Sequence, residues 1–224
     1  MVVPAPLFFL WPDIVVRDFN VNDPASLPAS PRLKQLAEKL GPPEVSQLYT
    51  LVSDTVAAGT LSRYLGEHGI TVTVLDTPTV SIDSLGGRNA ILFVGPGSVN
   101  QAADLTEGMN FYLKTGTRAV LNRRPLAGEP SQWTEVQHAP QRVTTYGIVA
   151  KLRGRDPGKH VFVVASRYNI GLASFLTSTA KLDGLAKLHA ERGRPATFEA
   201  VIEFERNNEK ILSARALTLR AASR

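Results

Sequence analysis

The sequence predicts an α/β fold: a Rossmann-like, mostly parallel sheet with helices on both faces and an antiparallel hairpin at the C-terminal end. Three observations predict it. Residues 90–94 and 161–165 are unbroken apolar runs, as expected of strands covered on both faces in a parallel sheet. Helical patterns over 53–68 and 170–191 alternate with those strands, as in doubly wound sheets. Near the C-terminus Phe198, Ala200, Ile202 and Phe204 alternate with Glu199, Glu203 and Glu205, the period of a strand with one solvated face.

With 224 residues the chain suits one domain, read as an N-terminal strand and helix segment (1–52), core α/β units (53–195) and the C-terminal hairpin (196–224). A chain of this length buries roughly 70% of its unfolded surface, so its core needs no metal or disulfide. It has no cysteine, which excludes disulfides and thiolate metal sites. His68, His138, His160 and His189 show no metal-ligand spacing, so neither a metal nor a cofactor is expected. The net charge of +5 raises nucleic acid as a partner. The basic residues are dispersed, however, and the densest groups, Arg123 with Arg124 and Lys151 to Arg155, lack interleaved aromatics. They read as a solvated basic face, and nucleic acid is not expected. No stretch approaches the roughly 20 apolar residues needed to cross a bilayer. The apolar run at 7–11 reads as a buried first strand or as the continuation of a membrane anchor.

Residues 13–19 read as a strand, 23–31 as a Pro- and Ser-rich link, and 32–40 as a short helix that Gly41, Pro42 and Pro43 stop. The strongest helix spans 53–68, with Ser53 or Asp54 as N-cap and Gly69 at its end. Val56, Ala57, Thr60, Leu61, Tyr64 and Leu65 form its stripe. A β-branched strand at 70–75, a turn or short helix at 81–85 and the strand at 90–94 follow. Next come a helix near 98–107, strands near 110–113 and 118–121, and a long polar loop over 122–141. Strand 144–152, a turn at 155–158 and strand 160–165 lead into the helical region 170–191, split near 178–183. Asn207 and Asn208 turn the chain between the last two strands.

Two strand-loop-helix junctions are the candidate site. At the first, Gly95 and Gly97 turn the chain after the strand, and Ser98 with Gln101 has capping-box spacing. A helix start presents free N–H groups and the positive end of the dipole, so it favours an anionic or carboxyl-bearing ligand; Asn100 adds an amide. The third glycine of a dinucleotide fingerprint and the Lys-Ser/Thr of a P-loop are absent. At the second junction Ser166, Arg167, Asn169 and Gly171 follow the strand at 160–165. Arg167 suits bidentate contacts to carboxylate or phosphate. Ligands of open α/β sheets sit at the carboxyl ends of strands, where both junctions lie. The bland readings are a tight turn at the first and an exposed loop arginine at the second. Trp133 reads as a loop anchor or lid, and Tyr146 as core or half-buried in its strand. Ser98 and Ser166 lack the nucleophile elbow, and no acid or base pairing carries a mechanism, so no catalytic residue is assigned.

Asp54 opening a helix that ends in Leu65, Val94 and Gly95 followed by Asn100, and Asn110 with Phe111 form one set of motifs. Tyr146 to Val149 and the helix start Gly171 to Ser174 form another, and Trp11 with Pro12 stands near the start. In these the chain resembles an uncharacterised α/β domain of bacterial, notably acidobacterial, proteins, over about three quarters of its length. That domain commonly follows a DNA-binding helix-turn-helix region and a membrane-spanning helix. Leu172 stands where the domain has threonine, so no hydroxyl role carries over there. The resemblance implies an extracytoplasmic, membrane-anchored sensor domain, with a cytoplasmic setting left open. Together these readings point to a non-catalytic domain that senses or binds a small molecule or anion. Two alternatives remain: a Rossmann-like nucleotide-binding or nucleotide-processing enzyme, and an interaction module that uses the C-terminal hairpin.

Overall fold

The computed structural model describes residues 1–222 apart from Phe19, Asn22, Leu48, 77–84, 96–105, Glu107, 115–116 and Glu209. The first strand, β1 (Val2–Val3), is brief because Pro4 cannot donate to a ladder. A small lobe follows. In it β2 (Phe8–Trp11) pairs antiparallel with β3 (Ile14–Val16) on one side and β4 (Glu44–Ser46) on the other. The expected link at 23–31 is tighter than a loop. Pro24–Ala29 forms a 3-10 helix, and Ser30 then caps α1 (Pro31–Leu40) by accepting from the Leu33 N–H at 3.2 Å. Pro31 fits because the first turn of a helix has no use for its missing N–H. Gly41, at φ 85°, ends α1 as the sequence predicts. Phe9 and Leu33 are fully buried at the centre of this lobe, with Trp11 and Val16 against them.

The chain then enters α2 (Val52–Glu67), β5 (Leu75–Asp76) and β6 (Ala90–Val94). Of the strand expected at 70–75, Leu75 alone falls within β5. After β7 (Phe111–Leu113) and β8 (Ala119–Asn122), the expected loop over 122–141 instead holds β9 (Gln132–Thr134) and β10 (Val136–Ala139). Polar composition hid them. β10 is exposed at every position, and of β9 Trp133 alone is partly buried, so neither shows apolar alternation.

The remaining elements are β11 (Arg142–Arg153), β12 (His160–Ser166), α3 (Asn169–Leu176), α4 (Thr179–Glu191), β13 (Phe198–Asn207) and β14 (Lys210–Ala221). The main sheet is eight-stranded in the order β14-β13-β11-β12-β6-β1-β5, with β10 beside β11. It is mixed rather than mostly parallel. β12, β6, β1 and β5 run parallel, whereas β10, β11, β13 and β14 form antiparallel pairs, with β12 antiparallel to β11. The reason lies in the connection at 154–159. A parallel return needs a dozen or more residues, so the tight turn through Gly158 at φ 73° can only make a hairpin.

Helices were expected on both faces. Those described next to the main sheet, α2, α3 and α4, all pack on one, over Phe93, Val149, Val164, Ile202 and Phe204. The opposite face, with Leu92, Ile148, Ala150, Val163 and Val201, is covered by Phe111 and Val120 of the small sheet β7-β8-β9. β6 and β12 are therefore buried on both sides, as their unbroken apolar runs predict. Glu199, expected on a wet face, is 1% exposed because this small sheet lies over it.

Candidate functional site

β6 and β12 lie side by side in parallel register, Val94 opposite Ala165, so the two junctions leave the sheet as neighbours. Gly95 is buried directly after β6, while Gly97, Ser98, Asn100 and the helix expected near 98–107 fall outside the described residues, Thr106 apart. At the second junction the polar groups are engaged internally. The Ser166 hydroxyl accepts from the Tyr168 N–H at 3.0 Å and donates to the Tyr146 carbonyl at 3.3 Å. Gly171 is a packing glycine: a Cβ there would lie 2.2 Å from the buried Phe204 ring. Arg167 faces solvent and donates to the Thr117 carbonyl at 3.2 Å.

Asn169 is fully buried and donates through its Nδ2 to Asp54 Oδ1 at 2.8 Å. Asp54 is not the N-cap that the sequence suggested. Leu51 holds that position without a side-chain bond, and Asp54 is the third helical residue. Its spacing to Ala57, Ala58 and Leu61 puts it on the inward stripe of α2, where it is 2% exposed. Burial raises its pKa from 3.8 to about 6, and the Asn169 hydrogen bond offsets part of that rise. Asp54 Oδ2 and Asn169 Oδ1 are buried with no partner among the described residues.

The next stripe of α2 borders an open-sided cavity of about 700 Å³, in which Gln47, Tyr49, Thr50, Thr55, Gly59, Val74 and Asp76 are exposed. Thr55, Ala58, Gly59 and Ser62 form one wall at helical spacing, facing Val3 to Ala5 at the carboxyl end of β1 and Val74 to Asp76 along β5. Gln47, Tyr49 and Thr50 close one side, with the Thr50 hydroxyl held by the Pro4 carbonyl at 2.9 Å. A Cβ at Gly59 would meet nothing within 4 Å, so this helix position opens on free space. The Ser62 Oγ is buried and unpartnered among the described residues. Asp76 is the one carboxylate on the lining, and no Lys, Arg or His is among its described residues. Sequence reading missed this cavity because its walls come from three distant segments. The one local signal was Gly59, a glycine inside an otherwise strong helix, which usually has a packing or functional reason.

A second polar cluster ties the small sheet to the C-terminal hairpin. Glu199 accepts backbone N–H groups from Asn110 at 2.9 Å and Phe111 at 2.8 Å. Burial raises its pKa, opposed by those two bonds and by the charges of Arg124 and Arg123. Asn110 donates to Asn122 at 2.7 Å, Asn122 to Glu129 at 3.2 Å, and Glu129 is ion-paired with Arg220. Trp133 anchors here, edge-on to Phe111 at 5.5 Å.

The histidines stand apart, each with its own neighbour. His68 contacts the Tyr64 carbonyl, His138 the Thr144 hydroxyl and His189 the Pro195 carbonyl, while His160 lies beside Phe162. Among the described residues no three of His, Asp and Glu converge as metal ligands, and no helix is long and apolar enough to cross a membrane.

Set against known proteins, the chain matches no family model, no curated protein and no solved structure. Its own residues therefore carry the functional reading.

Proposed function

We propose that this chain is a non-catalytic domain that senses a small molecule, and that the ligand sits in the cavity beside α2. The cavity carries this reading. Its volume of about 700 Å³ lies within the roughly 300–1,000 Å³ typical of ligand pockets. It lies between α2 and the strands β1 and β5, with Pro4 and Ala5 just past the carboxyl end of β1, the strand end near which open α/β sheets hold ligands. Val3, Pro4, Ala5, Ala58, Val74 and Leu75 make its apolar surface, and Gln47 and Tyr49 on the lining bring hydrogen-bond donors. With no cation on the described lining, the ligand is a neutral, largely apolar molecule with a hydrogen-bond acceptor rather than an anion. An extracytoplasmic, membrane-anchored setting rests on the resemblance to the bacterial sensor domain.

The interaction-module reading finds less support. β14 is an edge strand of the main sheet, but it carries Lys210 and Arg215, and the β13–β14 ladder shifts register twice. Charge and bulges blunt an edge against pairing.

The test is a thermal-unfolding screen with neutral apolar compounds and with small anions. A cavity ligand at a hundredfold excess over Kd adds about 2.7 kcal/mol of stability. Gly59→Leu fills the cavity, so it removes the response to neutral compounds while the protein stays folded. A response to anions alone, or one that Gly59→Leu leaves intact, refutes this site.

A further inference from the structure

Asp54 and Asn169 meet in the interior with an unbalanced set of hydrogen-bonding groups. The Asn169 amide donates to Asp54 Oδ1, which leaves Asp54 Oδ2 and Asn169 Oδ1 as two acceptors without a donor among the described residues. One proton corrects this. Protonated at Oδ2, Asp54 can donate to Asn169 Oδ1, closing a two-bond carboxyl–carboxamide pair in which every polar atom is used. Ionised, the same pair buries an under-solvated charge beside a carbonyl oxygen, an arrangement that costs free energy.

We infer that Asp54 is a proton-binding site that locks the first turns of α2 onto α3, so that protonation sets the position of the cavity wall. The lock joins α2 to the start of α3, where Ser53 also accepts from the Ile170 N–H at 3.4 Å. Thr55, next in sequence to Asp54, Ala58 and Gly59 one turn on and Ser62 two turns on are the cavity wall, so a shift of this helix end alters the cavity directly.

Among the described residues no charge facing Asp54 competes for the role. α3 has no ionisable side chain, and neither does β1, the strand against α2. On α2 itself Arg63 and Glu67 lie two turns or more away and pair with each other at the surface. Burial accordingly leads the causes that raise the Asp54 pKa. Regulation of ligand uptake by the lock rests on the proposed function; the lock itself does not.

The experiment is an NMR titration of the full chain, following the Asp54 side-chain carboxyl carbon and the backbone amides of Thr55, Gly59 and Ser62. Asp54 is expected to titrate well above 3.8, and the three amides to move with the same midpoint. In Asp54→Asn, which imitates the protonated acid, those amides stay at their low-pH positions throughout. Titration of Asp54 near 3.8, or amides that ignore it, overturns the lock. Nile red, a neutral apolar dye, is titrated in parallel at low and neutral pH. Several-fold tighter binding at low pH in the wild type, and equal binding in Asp54→Asn, supports the regulation. Equal wild-type binding at both pH values overturns it. A dye that never binds counts against the proposed function, while the titration still judges the lock.

Discussion

Asp54 and Glu199 are both interior carboxyls, 2% and 1% exposed, on opposite faces of the same sheet. Glu199 accepts two backbone N–H groups and lies near Arg123 and Arg124. Among the described residues Asp54 has one amide donor and no charge beside it. The first is a fastener: it takes up the N–H groups at the start of β7, which would otherwise be buried without partners. The second is left under-satisfied, next to the cavity. Depth of burial does not distinguish their roles; the number and kind of donors does.

The comparison can be broken at either end. The largest effect is expected at Glu199. Glu199→Leu strands two buried N–H groups and should cost about 4 kcal/mol in urea unfolding. A cost below about 1 kcal/mol would mean that water replaces the carboxylate and that Glu199 is no fastener.

Asp54→Asn should act in the opposite direction. The folded-state pKa of Asp54 is raised, from 3.8 to about 6, so the native state holds the proton more tightly than the unfolded chain. This stability is fully present below about pH 4 and is lost as pH rises towards 6. At neutral pH the neutral amide should recover up to about 3 kcal/mol, two pKa units' worth. Glu199, also raised, contributes a fall of the same sign that Asp54→Asn leaves in place, so the pH slope shrinks without vanishing. Destabilisation by Asp54→Asn at neutral pH would remove the contrast between the two acids.

Gly171→Ala probes what lies between them, because it drives a methyl into the Phe204 ring at the α3–sheet contact. It should cost about 2 kcal/mol by overpacking, read as a lower thermal midpoint. The smallest effect is expected at Gly59, where alanine meets open space. Gly59→Ala should raise helix stability by up to about 1 kcal/mol and leave room for a ligand, in contrast to Gly59→Leu.

Several of these features were legible in the chain. Asp54 stands three, four and seven residues before Ala57, Ala58 and Leu61, so its inward orientation follows from helical period alone; its N-cap chemistry masked that. The hairpin of β11 and β12 was legible too, since the turn after Arg153 is too short for a crossover. Glu199 was not. In the sequence it is indistinguishable from Glu203 and Glu205, and only the small sheet laid over β13 buries one and leaves the others near solvent.

The sequence by itself determined where the chain alternates or runs apolar, and hence β6, β12, α2 and the C-terminal hairpin, because periodicity is a local consequence of backbone geometry. The tertiary structure alone decided that the cavity is walled by residues 3–5, 55–62 and 74–76, and that Asp54 meets Asn169 across 115 positions. Hydrogen-bond partners and cavity walls arise from segments brought together by folding, and local periodicity does not say which segments meet.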